Sequence, residues 1–301
     1  MSDQILALGE VLWDLLPGGM KLGGAPANFA FHCRSLGAEA RMITRVGADE
    51  LGRLVLDRFE SRGMPVETIQ IDSDRPTGTV GVELSQDGQP RYTIHEDVAW
   101  DRIAALESGI AAARSADAIC FGSLALRAET TRESIAKLVS HTRPQALRIF
   151  DVNLRHPYVF PDAIAEALEL CDVLKLNDQE LVEIAAMFGV TAGVRETIEE
   201  LSRRFGLKAL ALTRGVDGSL LFADGRWSDQ PGLAVAVCDT IGAGDAFTAA
   251  LAIGLLSGRT LDEINRHAGS VAAFVCSQPG GTPELPESFK RPAVVAEERS
   301  I

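Results

Sequence analysis

Asp239-Thr240-Ile241-Gly242-Ala243-Gly244-Asp245 opens the most apolar stretch of the chain, Ala246–Leu256. Two glycines around an alanine at a helix entrance let the backbone run close to a neighbour and leave successive N–H groups without intrahelical partners. Those amides, with the positive end of the helix dipole, make a cradle for an anion. Asp245 falls in the first helical turn, beside the cradle. There a carboxylate can take a proton from a nucleophile while the amides hold developing negative charge. For a bare G-x-G, an acid that merely complements the helix dipole is the commoner explanation. The full string D-T-x-G-A-G-D arises by chance in a chain of this length on the order of 10⁻⁵. The short apolar run Ala234–Cys238 just before it reads as strand-like.

Two other glycine motifs are excluded. The chain has no GxxxxGK[ST], so it is not a P-loop protein. Phe247 stands where a dinucleotide fingerprint needs its third glycine, and too little chain follows for the second half of that fold.

Outward from this segment, strand-like and helix-like stretches alternate. Ile5–Leu8, Arg41–Val46, Ala118–Phe121, Leu147–Phe150, Val173–Leu176 and Ala209–Leu212 are short apolar runs, and Pro26–Leu36 and Glu50–Arg62 have helical spacing. Runs apolar on both faces fit a largely parallel sheet covered by crossover helices. Residues 68–96 break the rhythm. Thr79–Leu84, the turn Gln86–Gln89 and Tyr92–Ile94 predict an antiparallel hairpin standing off the main sheet, with Trp100 anchoring its return. The expectation is one α/β domain over 1–301, with a β lid from strands around 10–25 and 68–100.

Composition narrows the function. With 46% hydrophobic and 24% charged residues the chain is globular, and its formal net charge of −13 disfavours nucleic acid and anionic membrane surfaces. The N-terminus shows no basic segment before its apolar residues, so a cytoplasmic protein is expected. The five cysteines form no CxxC and read as free thiols rather than a metal or disulfide framework.

The late string Asp239–Asp245, paired with Gly23-Gly24-Ala25-Pro26-Ala27-Asn28, resembles the two signatures of the ribokinase-like (PfkB) sugar kinases. Between them, in order, stand Val46–Asp49 with Gly52, Pro76–Thr79, Asp151–Arg155, Asn177–Glu180 and Thr213–Gly218, so the resemblance spans roughly residues 4–286. It implies a three-layer α/β/α sandwich with a small β-sheet lid, and ATP-dependent phosphorylation of a sugar hydroxymethyl group.

The roles it implies are these. Asp245 is the catalytic base, and the amides of Gly242, Ala243 and Gly244 are the anion hole. Asp14, Gly23, Gly24, Asn28 and Arg155 bind the sugar, with the glycines letting it approach the backbone. Asn177, Thr213, Gly215 and Gly218 contact the nucleotide, and Glu180 organises Mg²⁺ through water. Backbone carbonyls at Asp239, Ile241, Val275, Gln278 and Gly280 match the family's potassium loop. The lid's edge invites pairing with a second copy, giving a homodimer.

Gly9–Pro17, Gly23–Ala30 and Asp151–Tyr158 most resemble the fructokinase branch, so fructose is the first candidate. The alternative is 2-keto-3-deoxygluconate, whose carboxylate Arg155 could pair bidentately. A non-catalytic sugar- or nucleotide-binding protein is the alternative of another class. It would have no use for a base beside the anion hole.

Overall fold

The computed structural model describes residues 2–16, 18–84 and 90–290. The chain begins with β1 (Gln4–Leu8), β2 (Leu12–Leu16), β3 (Gly19–Gly23), α1 (Ala25–Ser35), β4 (Glu39–Gly47), α2 (Glu50–Ser61) and β5 (Ile69–Asp72). Next come β6 (Gly78–Leu84), β7 (Pro90–Ile94), α3 (Glu107–Ser115), β8 (Ala118–Gly122), α4 (Glu129–Ser140), β9 (Leu147–Asp151) and α5 (Pro161–Leu170). It continues through β10 (Val173–Asn177), α6 (Asp178–Met187), α7 (Val194–Phe205), β11 (Ala209–Thr213), β12 (Ser219–Ala223) and β13 (Arg226–Gln230). Two long helices, α8 (Ala243–Leu256) and α9 (Leu261–Cys276), close the described part.

The main sheet has nine strands in the order β13-β12-β11-β10-β9-β8-β1-β4-β5. All its pairings from β11 to β5 are parallel, and β12 and β13 add an antiparallel edge. Strand period two sorts the side chains into two cores. Ile5, Ala7, Ala118, Cys120, Ala209 and Ala211 face the core that holds α1, α8 and α9. Leu6, Leu8, Ile119, Phe121, Leu210 and Leu212 face the core on the α3–α7 side. Small residues dominate the first face, so the alanine-rich α1 and α8 can lie close to the strands. This is the expected three-layer α/β/α sandwich.

A second sheet has the order β3-β2-β6-β7, with β6 and β7 antiparallel as the hairpin reading required. The expected turn Gln86–Gln89 and the side chain of Tyr92 lie outside the described residues. Two expectations are corrected. Within the lid segment, Ile69–Asp72 does not join the small sheet: it pairs in parallel with β4 as the main sheet's last strand. Its half-buried pattern suits a sheet edge better than a stand-off hairpin. Ala234–Cys238 is not a strand either. Val235 and Val237 are exposed, and Cys238 N–H donates to the Cys276 carbonyl at the end of α9 rather than to a ladder. A short apolar run becomes a strand only where a sheet neighbour takes up its backbone groups, and this one stays an open loop.

Trp100 is fully buried, and the space above Gly78 is filled by its indole nitrogen, so it does anchor the base of the hairpin. Trp13, also buried, donates from Nε1 to the Leu51 carbonyl (3.1 Å) and fastens β2 to α2.

Candidate active site

Gly242 adopts φ 76° as the N-cap of α8, a left-handed conformation that L side chains disfavour. A Cβ there would also overlap the Gly281 carbonyl. The turn is therefore possible only with glycine; the Ala243 N–H donates weakly to the Thr240 carbonyl (3.4 Å), and the next first-turn amides have no intrahelical acceptor. Asp245 is in the first turn, and its Oδ2 accepts a hydrogen bond from Asn28 Nδ2 (2.8 Å). The two signature segments thus meet, although 217 positions separate them. Burial pushes the Asp245 carboxyl up to about 7, and the Asp151 charge adds to this, while the Asn28 bond, Lys175 and Arg155 pull the other way.

Asn28, a candidate for binding the sugar, here donates its amide to Asp245. A second latch joins the same parts. His32, buried on α1, shares a 2.9 Å bond between Nε2 and the Gly281 carbonyl. Since a carbonyl only accepts, Nε2 carries the proton. Burial holds this imidazole down to about 4, so it is neutral. Nothing in the residue pattern separated His32 from an ordinary core histidine.

Beneath α8 lies an ion pair that sequence reasoning also missed. Lys175 Nζ and Asp151 Oδ1 are 3.0 Å apart, with side chains 7% and 8% exposed. Thr248 Oγ1 donates to Asp151 Oδ2 (2.7 Å) and lies 3.0 Å from the Gly244 carbonyl oxygen. A lysine inside the run Val173–Asn177 was the available signal, because a charge in a doubly buried strand must be paired.

On the other side, Asp14 sits on β2 directly opposite Lys21 on β3. Partial burial raises its carboxyl, while Arg155 and Lys21 lower it. A Cβ at Gly23 would reach 2.7 Å from Asp14 Oδ2, and one at Gly24, where φ is 106°, would reach 2.5 Å from the Glu10 carbonyl. A side chain at either glycine would therefore collide with protein groups.

Glu10 is a further missed residue. It is 2% exposed, and its Oε2 has no hydrogen-bond partner among the described residues. Burial pushes it up to about 7 against the backbone amides of Glu10 and Ala25 and the charge of Arg155, with Asp245 adding to the rise. Arg155 is exposed, and its Nη1 donates to the Leu154 carbonyl (2.9 Å). One open guanidinium thus acts on Glu10, Asp14 and Asp245 together.

Asn177 caps α6, accepting from Glu180 N–H (2.9 Å), while Glu180 Oε2 accepts from Asn177 N–H (2.8 Å). Glu180 Oε1 accepts from Leu154 N–H (3.0 Å). Both carboxylate oxygens of this buried acid are therefore engaged by backbone, which does not suit a direct metal ligand. A magnesium ion would reach this carboxylate only through water, which leaves both backbone bonds in place.

Thr213 ends β11. The tight turn after it brings Gly218, at φ 88°, against the Gln230 carbonyl, and Val216 against Gly232. Val216, against Gly232, is 88% exposed, and Leu233 and Val237, which follow Gly232 in its loop, are 52% and 62% exposed. Residues 239–241 and 275–280 also come together. Asp239 Oδ1 accepts from Ile241 N–H and its Oδ2 from Gly280 N–H (3.0 and 3.2 Å). The Val275 carbonyl already accepts from Gln278 N–H (3.0 Å), so it is only partly available to a cation.

The pfkB family carbohydrate kinase model matches residues 18–288. The chain is 32% identical to a fructokinase of Klebsiella pneumoniae, over 85% of each chain, and 32% identical to one of Escherichia coli, over 87% of this chain and 88% of the other. It is 29% identical to a putative sugar kinase of Pyrococcus horikoshii, over 95% and 94%. That protein's crystal structure in complex with ATP covers 92% of this chain and 94% of its own, with a TM-score of 0.80 and 27% identity. The ATP-bound fructokinase of Xylella fastidiosa has the same fold, with a TM-score of 0.82, 22% identity and 94% of both chains covered. The meeting of residues 23–28 with 239–245, and a family match over nearly the whole chain, place this protein in the pfkB family of carbohydrate kinases, as an ATP-dependent sugar kinase.

Proposed function

We propose that this kinase transfers the γ-phosphoryl group of ATP to the primary hydroxyl of fructose, giving fructose 6-phosphate. The observation that carries the reading is Asp245, a buried carboxylate in the first turn of α8 whose Oδ2 is held by Asn28 from the other signature segment. A primary alcohol is too weak an acid to ionise beforehand. Asp245 takes its proton as the hydroxyl oxygen bonds to phosphorus and the bond to ADP breaks. The Gly242, Ala243 and Gly244 amides hold charge on the transferring oxygens. Asn28 keeps the carboxylate aimed.

Asp14 accepts from sugar hydroxyls, and the strands β2, β3, β6 and β7 act as a lid that excludes water from the transfer. The exposed side chains of Val216, Leu233 and Val237 suit the flat face of adenine, with Thr213, Gly215 and Gly218 framing it. Mg²⁺ would neutralise nucleotide phosphates, with Asn177 and Glu180 nearest to its water shell. A potassium ion in the 239–241 and 275–280 loop would stiffen the same turn. We treat residues 1–301 as one catalytic domain that dimerises through the free edges of the lid.

A second reading has a specific observation behind it. Among the described residues, Arg155 makes no ion pair within 4.0 Å, so its guanidinium is open to a substrate carboxylate, as 2-keto-3-deoxygluconate would present. ADP release measured over fructose, 2-keto-3-deoxygluconate and ribose decides between them. The highest kcat/KM is expected for fructose. A higher value for the acidic sugar would replace fructose with it, and binding without turnover of any sugar would end the kinase reading.

A further inference from the structure

The ion pair beneath α8 has no evident structural purpose. Apolar residues of equal volume generally stabilise a core as well as a buried charge pair does. Lys175 and Asp151 are cross-strand neighbours in register on β10 and β9, on the face that otherwise carries small residues. Their position under the reacting helix is therefore what needs explaining.

We propose that Lys175 and Asp151 are positioning residues for phosphoryl transfer, a buried pair of opposed charges that anchors α8 through Thr248 beneath the turn that carries Asp245. This rests on the reading of Asp245 as the base. The anchoring half is a pair of contacts: Lys175 Nζ stands 3.0 Å from Asp151 Oδ1, and Thr248 Oγ1 on α8 donates its one proton to Asp151 Oδ2 at 2.7 Å. Gly244 is part of it, because a Cβ there would stand 3.1 Å from Lys175 Nζ. Without a side chain, the helix start settles onto the ammonium.

The electrostatic half follows from the placement. Asp151 raises the proton affinity of Asp245 and Lys175 lowers it, from within one pair. The other polar and charged groups facing Asp245 are Asn28 on α1, Arg155 after β9 and Glu10 after β1, while Glu180 on α6 acts on Lys175. These stay in place when either member of the pair is changed. A role confined to folding would move stability but not split the pH behaviour of the two variants in opposite directions.

The test is the pH dependence of kcat/KM for the full chain with ATP and its best sugar. Asp151→Asn removes the negative charge and is expected to move the acidic limb down by about one pH unit. Lys175→Met removes the positive charge and should move it up by a similar amount. Limbs that do not move, or that move together, overturn the proposal. If either single variant fails to fold, Lys175→Met/Asp151→Asn keeps the volume without a buried charge. It is expected to fold and to lose about 10-fold in kcat with the ATP KM little changed, and wild-type kcat in it overturns the proposal. Asp245→Asn measured alongside separates the two levels. If that variant is inactive while the pair variants behave as wild type, the pair alone loses its role. If it turns over normally, the base assignment falls first.

Discussion

The start of α8 and the four-stranded sheet that carries Asp14 are built on opposite principles. At α8 the polar groups are tied by residues from distant parts of the chain: Asn28 to Asp245, His32 to Gly281, Asp151 to Thr248. In the small sheet the backbone register is regular, but the side chains from Asp14 to Leu16 and from Gly19 to Leu22 are half-buried or exposed wherever they are described. A buried, cross-tied site fixes geometry to fractions of an ångström, which phosphoryl transfer requires. An open sheet with few fixed partners can change what it recognises without disturbing the reaction. Chemistry should therefore fail when α8 is touched, and selectivity should change when the sheet is touched.

The largest break is expected at α8. Asp245→Asn keeps the size of the side chain and removes the proposed base, and kcat should fall by more than ~10²-fold. Sugar affinity, measured by direct titration, should change little. An equal loss of affinity would place Asp245 in recognition and erase the contrast.

The small sheet gives the next effect. Asp14→Ala removes an acceptor whose hydrogen bonds to hydroxyls are charge-assisted, each contributing about 1.5–3 kcal/mol. A fall of about 10- to 100-fold in kcat/KM is expected, mostly through sugar KM. If kcat alone fell, the small sheet would be part of the chemistry and not of selection.

How far the sequence revealed these two regions differs for a physical reason. The turn at Gly242 was legible because only glycine tolerates its backbone, and backbone demands leave a mark on single positions. The strands were legible because burial on both faces imposes long apolar runs. The partners of Asp245 were not, because a hydrogen bond across 217 positions has no local signature. Asn28 was found, but its own bond partner was not. Ile69–Asp72 and Ala234–Cys238 failed for a related reason: sheet membership is decided by the neighbour, and a short run carries no record of its neighbour. Lys175 is the instructive miss. Its charge inside a buried strand was visible, and asking where its counter-ion lay would have pointed to Asp151.

The pH profile sharpens the contrast further. Asp245 must be ionised to accept a proton, and its carboxyl is pushed up to about 7. In the wild type, kcat/KM should therefore fall about tenfold per unit as pH drops below about 7. Glu10 is pushed to the same range by the same burial, and Asp245 contributes to its rise. The observed limb then belongs to two interacting acids rather than to one. Glu10→Gln should leave a single ionisation in the limb, at a lower pH, because one negative neighbour of Asp245 has gone.

Glu10→Gln also gives the smallest effect, and the one that asks why a buried acid with an unpartnered oxygen is there. Burial raises its native proton affinity from the ordinary glutamate value of 4.5 to about 7, so between those values the folded chain binds a proton that the unfolded chain has lost. Stability then falls as pH rises through that window, and the cost is fully present above about 7. Glutamine has no charge to bury. The variant should match the wild type near pH 4 and exceed it at pH 8, by about 1–3 kcal/mol, or a few degrees in Tm. Equal melting temperatures at pH 8 would show that the ionised carboxylate is already compensated in the fold, with Arg155 the nearest named source of that charge. Glu10 would then belong with the tightly tied residues of α8. A gain confined to high pH would instead make it a standing electrostatic cost beside the base, kept at the expense of stability where Asp245 needs a high proton affinity.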